Sequence, residues 1–134
     1  MMAQTISIDG LDEAVKGAMK EVERAAYRAA DAAVDTISKE ALKAVKDAAP
    51  EHATKSSRKG TYKRNIKSKQ TKKDEFNAEW TIYVAAPEYR LSHLLENGHM
   101  TVNGEKTKAI PHFAKGQQLA DERLESEFEK NFKP

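Results

Sequence analysis

Cysteine is absent from this chain of 134 residues, proline occurs four times, and aromatic residues make up only 7% of it. Without cysteine there are no disulfides, no thiolate nucleophiles and no cysteine-ligated zinc. No apolar run approaches the ~20 residues that a membrane-spanning helix needs, so no membrane partner is expected. The opening Met1-Met2-Ala3-Gln4-Thr5 has neither the basic nor the apolar region of a signal peptide, and synthesis and folding in a cytoplasm are expected. Catalytic signatures are lacking too. Gly60 and Gly104 stand alone rather than in a phosphate-binding loop, no serine sits in a nucleophile elbow, and the carboxylates are spread over helix faces. A non-enzymatic protein without cofactor or metal is the expectation. Apolar residues make up 39% and the mean hydropathy is −0.77, which suits one domain over residues 1–134 with a single modest core.

Charge is present in quantity, at 33% of residues, and is unevenly placed. Residues 1–49 sum to −2, residues 50–73 to +8 and residues 74–134 to −4. A basic block therefore lies between two acidic flanks.

Residues 4–9 alternate, with Ile6 and Ile8 on one side, and predict a short extended lead-in. Asp9 and Asp12 offer capping oxygens for a helix over 11–49. Apolar residues recur in threes and fours at Leu11, Val15, Met19, Val22, Ala26, Ala30, Ala33, Ile37, Ala41, Val45 and Ala48. Pro50 ends the run. Unbroken, this helix would span about 57 Å, whereas a compact domain of this length is about 36 Å across. Either the helix breaks, with Thr36–Ser38 the weakest stretch, or one end packs on another molecule.

Residues 51–60, small, polar and basic, predict a mobile loop. Thr61–Lys72 alternates and predicts a strand with Tyr62, Arg64 and Ile66 on one face and Lys63, Lys67 and Lys69 on a wet face. After a turn at 73–77, Glu79–Ala86 predicts an antiparallel partner with Trp80, Ile82 and Val84 inward. Tyr89–Asn97 predicts a short helix closed by Gly98 in the left-handed conformation. Asn103-Gly104 is a two-residue hairpin signal, and Phe113–Phe132 is a second amphipathic helix with an acidic face of Asp121, Glu122, Glu125 and Glu129. The fold class is α+β: a small antiparallel sheet packed on a long N-terminal and a C-terminal helix. Trp80, Ile82, Val84, Leu94, Leu95, Leu124 and Phe128 are the expected core.

Lys55, Arg58, Lys59, Lys63, Lys67 and Lys69, with Arg64, Lys72 and Lys73, could bind phosphates, since clustered cations suffice for weak non-specific contact. Tyr62 and Tyr83 could stack on bases, but no recognition motif accompanies them, and a solvated surface explains the block as well. His93-x-x-Glu96-x-x-His99 has the look of a metal spacing, and His112 could join it in space. Positions six apart lie ~240° apart on a helix, however. His99 and His112 are expected instead to fix loop backbone. The exposed remainder of the alanine-rich stripe would be a seam for another copy.

The stretch Tyr89-Arg90-Leu91-Ser92-His93-Leu94-Leu95-Glu96-Asn97-Gly98-His99, followed by Ile110-Pro111-His112-Phe113 and an acidic helix, resembles the neck or tail-completion proteins of tailed bacteriophages. The likeness extends over nearly the whole chain, including the long charged helix that ends in Ala49-Pro50. It departs after Thr54, where family members carry a glycine. The resemblance implies a structural role for Leu94, Leu95, Glu96, Gly98, His99, Pro111 and His112. It also implies a virion protein at the head–tail junction, made in the host cytoplasm. Its partners would be its own copies in a commonly six-fold ring around the DNA channel, the head connector and the tail tube. No cofactor or catalysis is implied. A small non-specific nucleic-acid-binding protein using residues 55–73 is the alternative reading, and a metal-dependent hydrolase using His93, His99 and His112 a more distant one.

Overall fold

The computed structural model describes residues 8–54, 58–74 and 77–134. Ile6 of the expected lead-in, Lys55 of the basic block, and Glu75 and Phe76 of the turn lie outside the described residues.

The first helix, α1, runs Ile8–Ala48 without interruption. Ile8 is therefore helical rather than extended, and Thr36–Ser38 does not break the helix. Alanine carries the highest helix propensity, and no proline interrupts the segment. Ser38 turns its hydroxyl back to the Asp35 carbonyl at 2.8 Å. At ~1.5 Å per residue its 41 residues extend about 60 Å.

The buried side of α1 is a ridge of every fourth residue: Ala25, Ala29, Ala33, Ile37, Ala41, Val45 and Ala49. Such i±4 ridges seat in the grooves of a facing helix. The facing helix is α4, His112–Asn131. Gly116 of α4 lies against Val45 and Ala41, while Leu124 and Phe128 share a cavity wall with Ala30 and Ala33. The two helices therefore run antiparallel. A methyl group at Gly116 would come within 2.5 Å of Val45 Cγ2, so the small residues on both helices set their close approach. Arg123 of α4 binds Glu40 of α1 and reaches Glu127 at 3.4 Å, which settles the buried Glu127 carboxylate beside a cation.

A single helical turn, α2 (Thr61–Arg64), precedes strand β1 (Ile66–Lys73). This corrects the expected strand over 61–72. Gly60, at φ 76°, opens the turn, and its carbonyl accepts the Arg64 N–H at 3.0 Å. Tyr62 and Ile66 are both wholly buried. They are four residues apart, a spacing that keeps two side chains on one side in a helical turn and in a strand alike. The alternation therefore did not distinguish the two.

β1 pairs antiparallel with β2 (Ala78–Val84), in the register Ile66↔Val84, Ser68↔Ile82 and Gln70↔Trp80, with a bulge between Gln70 and Lys72. Val45, Ala49, Tyr62, Ile66 and Val84 form the core cluster, with Ile82, Leu95 and Phe113 packed on it. Of the expected core only Val84 is fully buried. Ile82, Leu94, Leu95 and Phe128 are partly buried, Leu124 is 39% exposed, and Trp80 is partly exposed with its indole nitrogen buried. The alanine ridge and Tyr62 take the central place instead.

A 3-10 turn, Glu88–Leu91, leads into α3, Ser92–Asn97. Gly98 follows at φ 73° and ψ 165°, a mirror-extended conformation rather than the left-handed helical one expected. The 100–107 segment makes one bridge, Met100↔Lys106, and not paired strands. Its turn closes from the Gly104 N–H to the Thr101 carbonyl at 3.0 Å, so Val102-Asn103 occupy the centre rather than Asn103-Gly104.

Candidate functional site

Two groups of residues stand out, the Leu-Glu-x-Gly-His and Pro-His stretches and the basic block. In the first, Pro111 at φ −75° and ψ 79° makes an inverse γ-turn, with the His112 N–H donating to the Ile110 carbonyl at 2.8 Å. This turn starts α4 and leaves its next N–H groups without helical acceptors. Glu96 supplies them. Oε1 accepts from the Phe113 N–H at 2.8 Å and Oε2 from the Ala114 N–H at 3.1 Å. An anionic carboxylate at a helix N-terminus also meets the positive end of the helix dipole.

His112 is wholly buried. Its Nδ1 lies 2.7 Å from the Ile110 carbonyl, which can only accept, so Nδ1 carries a proton. Glu96 Oε1 lies 3.1 Å from the same nitrogen. Nε2 is 2.7 Å from the Tyr62 hydroxyl, which donates to it when the ring is neutral. Burial, then the charges of Glu96 and Glu88, hold the Tyr62 phenol well above its usual range. One imidazole thus ties α2, α3 and α4 together.

Gly98 allows the chain to pass the segment at Thr107 closely, since a Cβ there would sit 2.7 Å from the Thr107 carbonyl oxygen. His99 completes that crossing. Its N–H donates to Thr107 Oγ1 at 2.8 Å, its carbonyl accepts the Thr107 N–H at 2.8 Å, and its Nδ1 lies 3.1 Å from Thr107 Oγ1. Leu95 packs on the core cluster, and its carbonyl accepts the Ile110 N–H at 2.7 Å. Leu94 is partly buried beside it. His93 and His99 are exposed while His112 is enclosed. Among the described residues no three His, Asp or Glu side chains gather as a metal site, so the His93–His99–His112 grouping is not assembled.

The basic block is divided by the fold. Lys63 sits on α2, not on the strand face, and its ammonium binds Glu51 at 3.0 Å. That hydrogen bond, then the Lys63 charge, hold the Glu51 carboxyl below its usual range, and Lys59 and His52 add to this. Lys67 and Lys69 are exposed on β1, and Lys69 Nζ lies 5.1 Å from the centre of the Tyr83 ring, a cation–π distance. Lys72 pairs with Glu79 at 3.6 Å and Lys73 with Asp31 at 3.9 Å. Arg58 and Lys59 are exposed in the loop, whose ends are joined by the Gly60 N–H donating to the Glu51 carbonyl at 2.7 Å.

Sequence reading did not single out Tyr62 as the partner of His112, nor Arg123 as the link between Glu40 and Glu127. Gly116 inside an amphipathic helix was a usable sign of close backbone approach.

Glu96 and His112 of the motif turn inward towards each other, and α1 extends past the layer it packs on. This is the build of a structural protein, and the sequence comparison agrees. Residues 12–98, well over half of the chain, match the family described as "Bacteriophage HK97-gp10, putative tail-component", and the chain belongs to that family. The match includes α1 from Asp12 onward, the sheet and Glu96 and stops at Gly98, short of Pro111-His112 and α4. No curated protein and no solved structure matches the chain.

Proposed function

We propose that this phage structural protein completes the tail end or joins it to the head connector, working as a six-fold ring around the DNA channel of the virion. The observation that carries the reading is α1. Its residues 10–24 are all exposed, with no described element packed over them, although they include Leu11, Val15, Met19 and Val22. Four large apolar side chains held in water are explained by assembly. The motif supports the same role: Glu96 and His112 brace α3, α4 and α2, as a load-transmitting component requires.

Lys67 and Lys69, on the outer face of the sheet, are the channel-facing candidates. Lys63, Lys72 and Lys73 are engaged by Glu51, Glu79 and Asp31, which reduces the cations offered to phosphate and favours assembly over a dedicated nucleic-acid-binding protein. The deciding experiment deletes the gene and images the lysate by negative stain. Filled heads and complete tails that fail to join are the expected result. Joined virions lacking the chain would defeat the reading. Replacing Lys67 and Lys69 by glutamate leaves folding intact and lowers infectious yield, and a wild-type yield would remove the channel-lining role alone.

A further inference from the structure

Among the described residues the fold has a groove without an occupant as well as a helix end without a seat. α1 forms the floor of the groove, and β2 and α4 are its walls. Its wider part, about 580 Å³, is lined by Ile37, Trp80, Ile82 and Phe113. Its narrower part, about 470 Å³, is lined by Ala30, Ala33 and Phe128. Val34, Ala120 and Leu124 border both parts, so they are one trough. The Trp80 indole nitrogen is buried there with no hydrogen-bond partner among the described residues. Along α4 the trough extends from Phe113 to Phe128, ~22 Å at the helical rise.

The unseated part of α1, residues 10–24, is ~21 Å long by the same rise. Its apolar residues, Leu11, Val15, Met19 and Val22, are spaced four, four and three apart, the anchor pattern of a helix lying in an apolar groove. The two lengths agree, and each surface carries an apolar stripe edged by charge: Asp121 and Glu125 border the narrower part of the trough, and Lys16 and Lys20 stand on the helix end. Residues 10–24 cannot fold back into the trough of their own chain, because α1 is unbroken and is itself the floor. The geometry points to a second copy: residues 10–24 of one protomer lie in the α1–β2–α4 trough of the next. This deepens the ring reading and rests on it. The contact joins two different surfaces, so repetition generates a closed ring or a filament rather than a two-fold dimer.

Area separates these outcomes. Half the surface of a helix ~12 Å wide and ~21 Å long is roughly 400 Å², so one contact buries roughly 800 Å² counting both sides. Stable pairs need about 1,000 Å² or more. A lone pair is therefore weak. In a closed ring every protomer both gives a helix and receives one, which no open pair achieves.

The chain has no cysteine, so any disulfide between its copies must join the introduced thiols. Val15→Cys and Leu124→Cys both lie at exposed positions and leave the fold intact. Under mild oxidation, a mixture of the two single variants of the full chain should yield the 15–124 heterodimer. The double variant should yield a ladder of linked oligomers, both as purified protein and in assembled particles. Val15→Cys homodimers would show helix-to-helix pairing and overturn the proposal. So would a bond from position 15 to another virion protein, or no 15–124 bond in either preparation. Particles that contain the chain but lack this bond would overturn the docking and leave the neck role standing. A ladder from purified protein, with the chain missing from particles, would do the reverse.

Discussion

The two halves of α1 share one unbroken helix and opposite designs. From residue 25 onward the inward ridge is mostly alanine and lies under α4 and the sheet. From residue 10 to residue 24 the equivalent stripe carries Leu11, Val15, Met19 and Val22, and every residue is exposed. Four large apolar side chains stand in water, while the buried ridge is mostly alanine, with Ile37 and Val45 as its larger members. The reason is distance. Gly116 brings α4 so close to Val45 and Ala41 that even a methyl group added to it would collide at the crossing. Among the described residues no helix faces the outer half, which keeps volume to bury elsewhere. A hydrophobic stripe thus records the need for burial but not the molecule that provides it.

The sharpest test of this contrast is a matched pair of truncations. Ile37 is buried, and Ile37→Ala should cost about 2–5 kcal/mol of folding stability. Leu11 is 64% exposed, and Leu11→Ala should change stability by no more than about 0.5 kcal/mol. Urea midpoints at unchanged slope measure both. Similar losses at the two positions would erase the distinction between the halves.

The glycines give a second pair, expected to differ in sign. A Cβ on Gly116 collides with Val45, and Gly116→Ala should cost about 1–3 kcal/mol despite the better helix propensity of alanine. Nothing lies within 4 Å of a Cβ on Gly17 in the outer half, and Gly17→Ala should strengthen the helix by about 0.5–1 kcal/mol. Thermal melts and helical circular dichroism distinguish these outcomes, and destabilisation at Gly17 would mean that the outer half is closely packed after all.

Tyr62 extends the contrast to the buried end of α1, where it packs with Val45 and Ala49. Tyr62→Phe leaves His112 Nε2 buried without its partner and should cost about 1–3 kcal/mol. The tyrosine also carries a pH signature. Its phenol is held above its ordinary value, so the native state keeps this proton more tightly than the unfolded chain does. The associated stability is complete below about pH 10, the unfolded value, and is lost as the pH rises beyond it. Stability measured from pH 8 upward should therefore fall for the parent more steeply than for Tyr62→Phe. Equal alkaline slopes would remove Tyr62 as the cause. Of the three tests, this slope difference is the smallest expected effect.

The α+β class, the uninterrupted helical propensity up to Pro50, the Ile66–Val84 strand pair and the closing helix were legible in order and spacing alone, because each depends on neighbours a few residues away. The same locality explains the errors. Tyr62 and Ile66 satisfy a helical turn and a strand equally, and Gly60 with its positive φ decided for the turn. Ala26 and Ala30 had the helical period, yet burial fell on Ala25 and Ala29, since a period of 3.6 leaves the facing side open until a partner helix is placed. Leu-Glu-x-Gly-His and Pro-His were visible as strings, but their physical content is not local. Glu96 caps a helix that begins 16 residues later, and His112 meets a tyrosine 50 residues earlier. By itself the sequence determined the two long helices, the antiparallel strand pair, where charge accumulates and that α1 is too long for the domain. Only the tertiary structure decided which stripe of α1 is covered, which lysines are engaged by acids, and that a trough matching the helix end lies open beside it. Each of those depends on which distant segments come together in space, and hydrophobic periodicity carries no information about that.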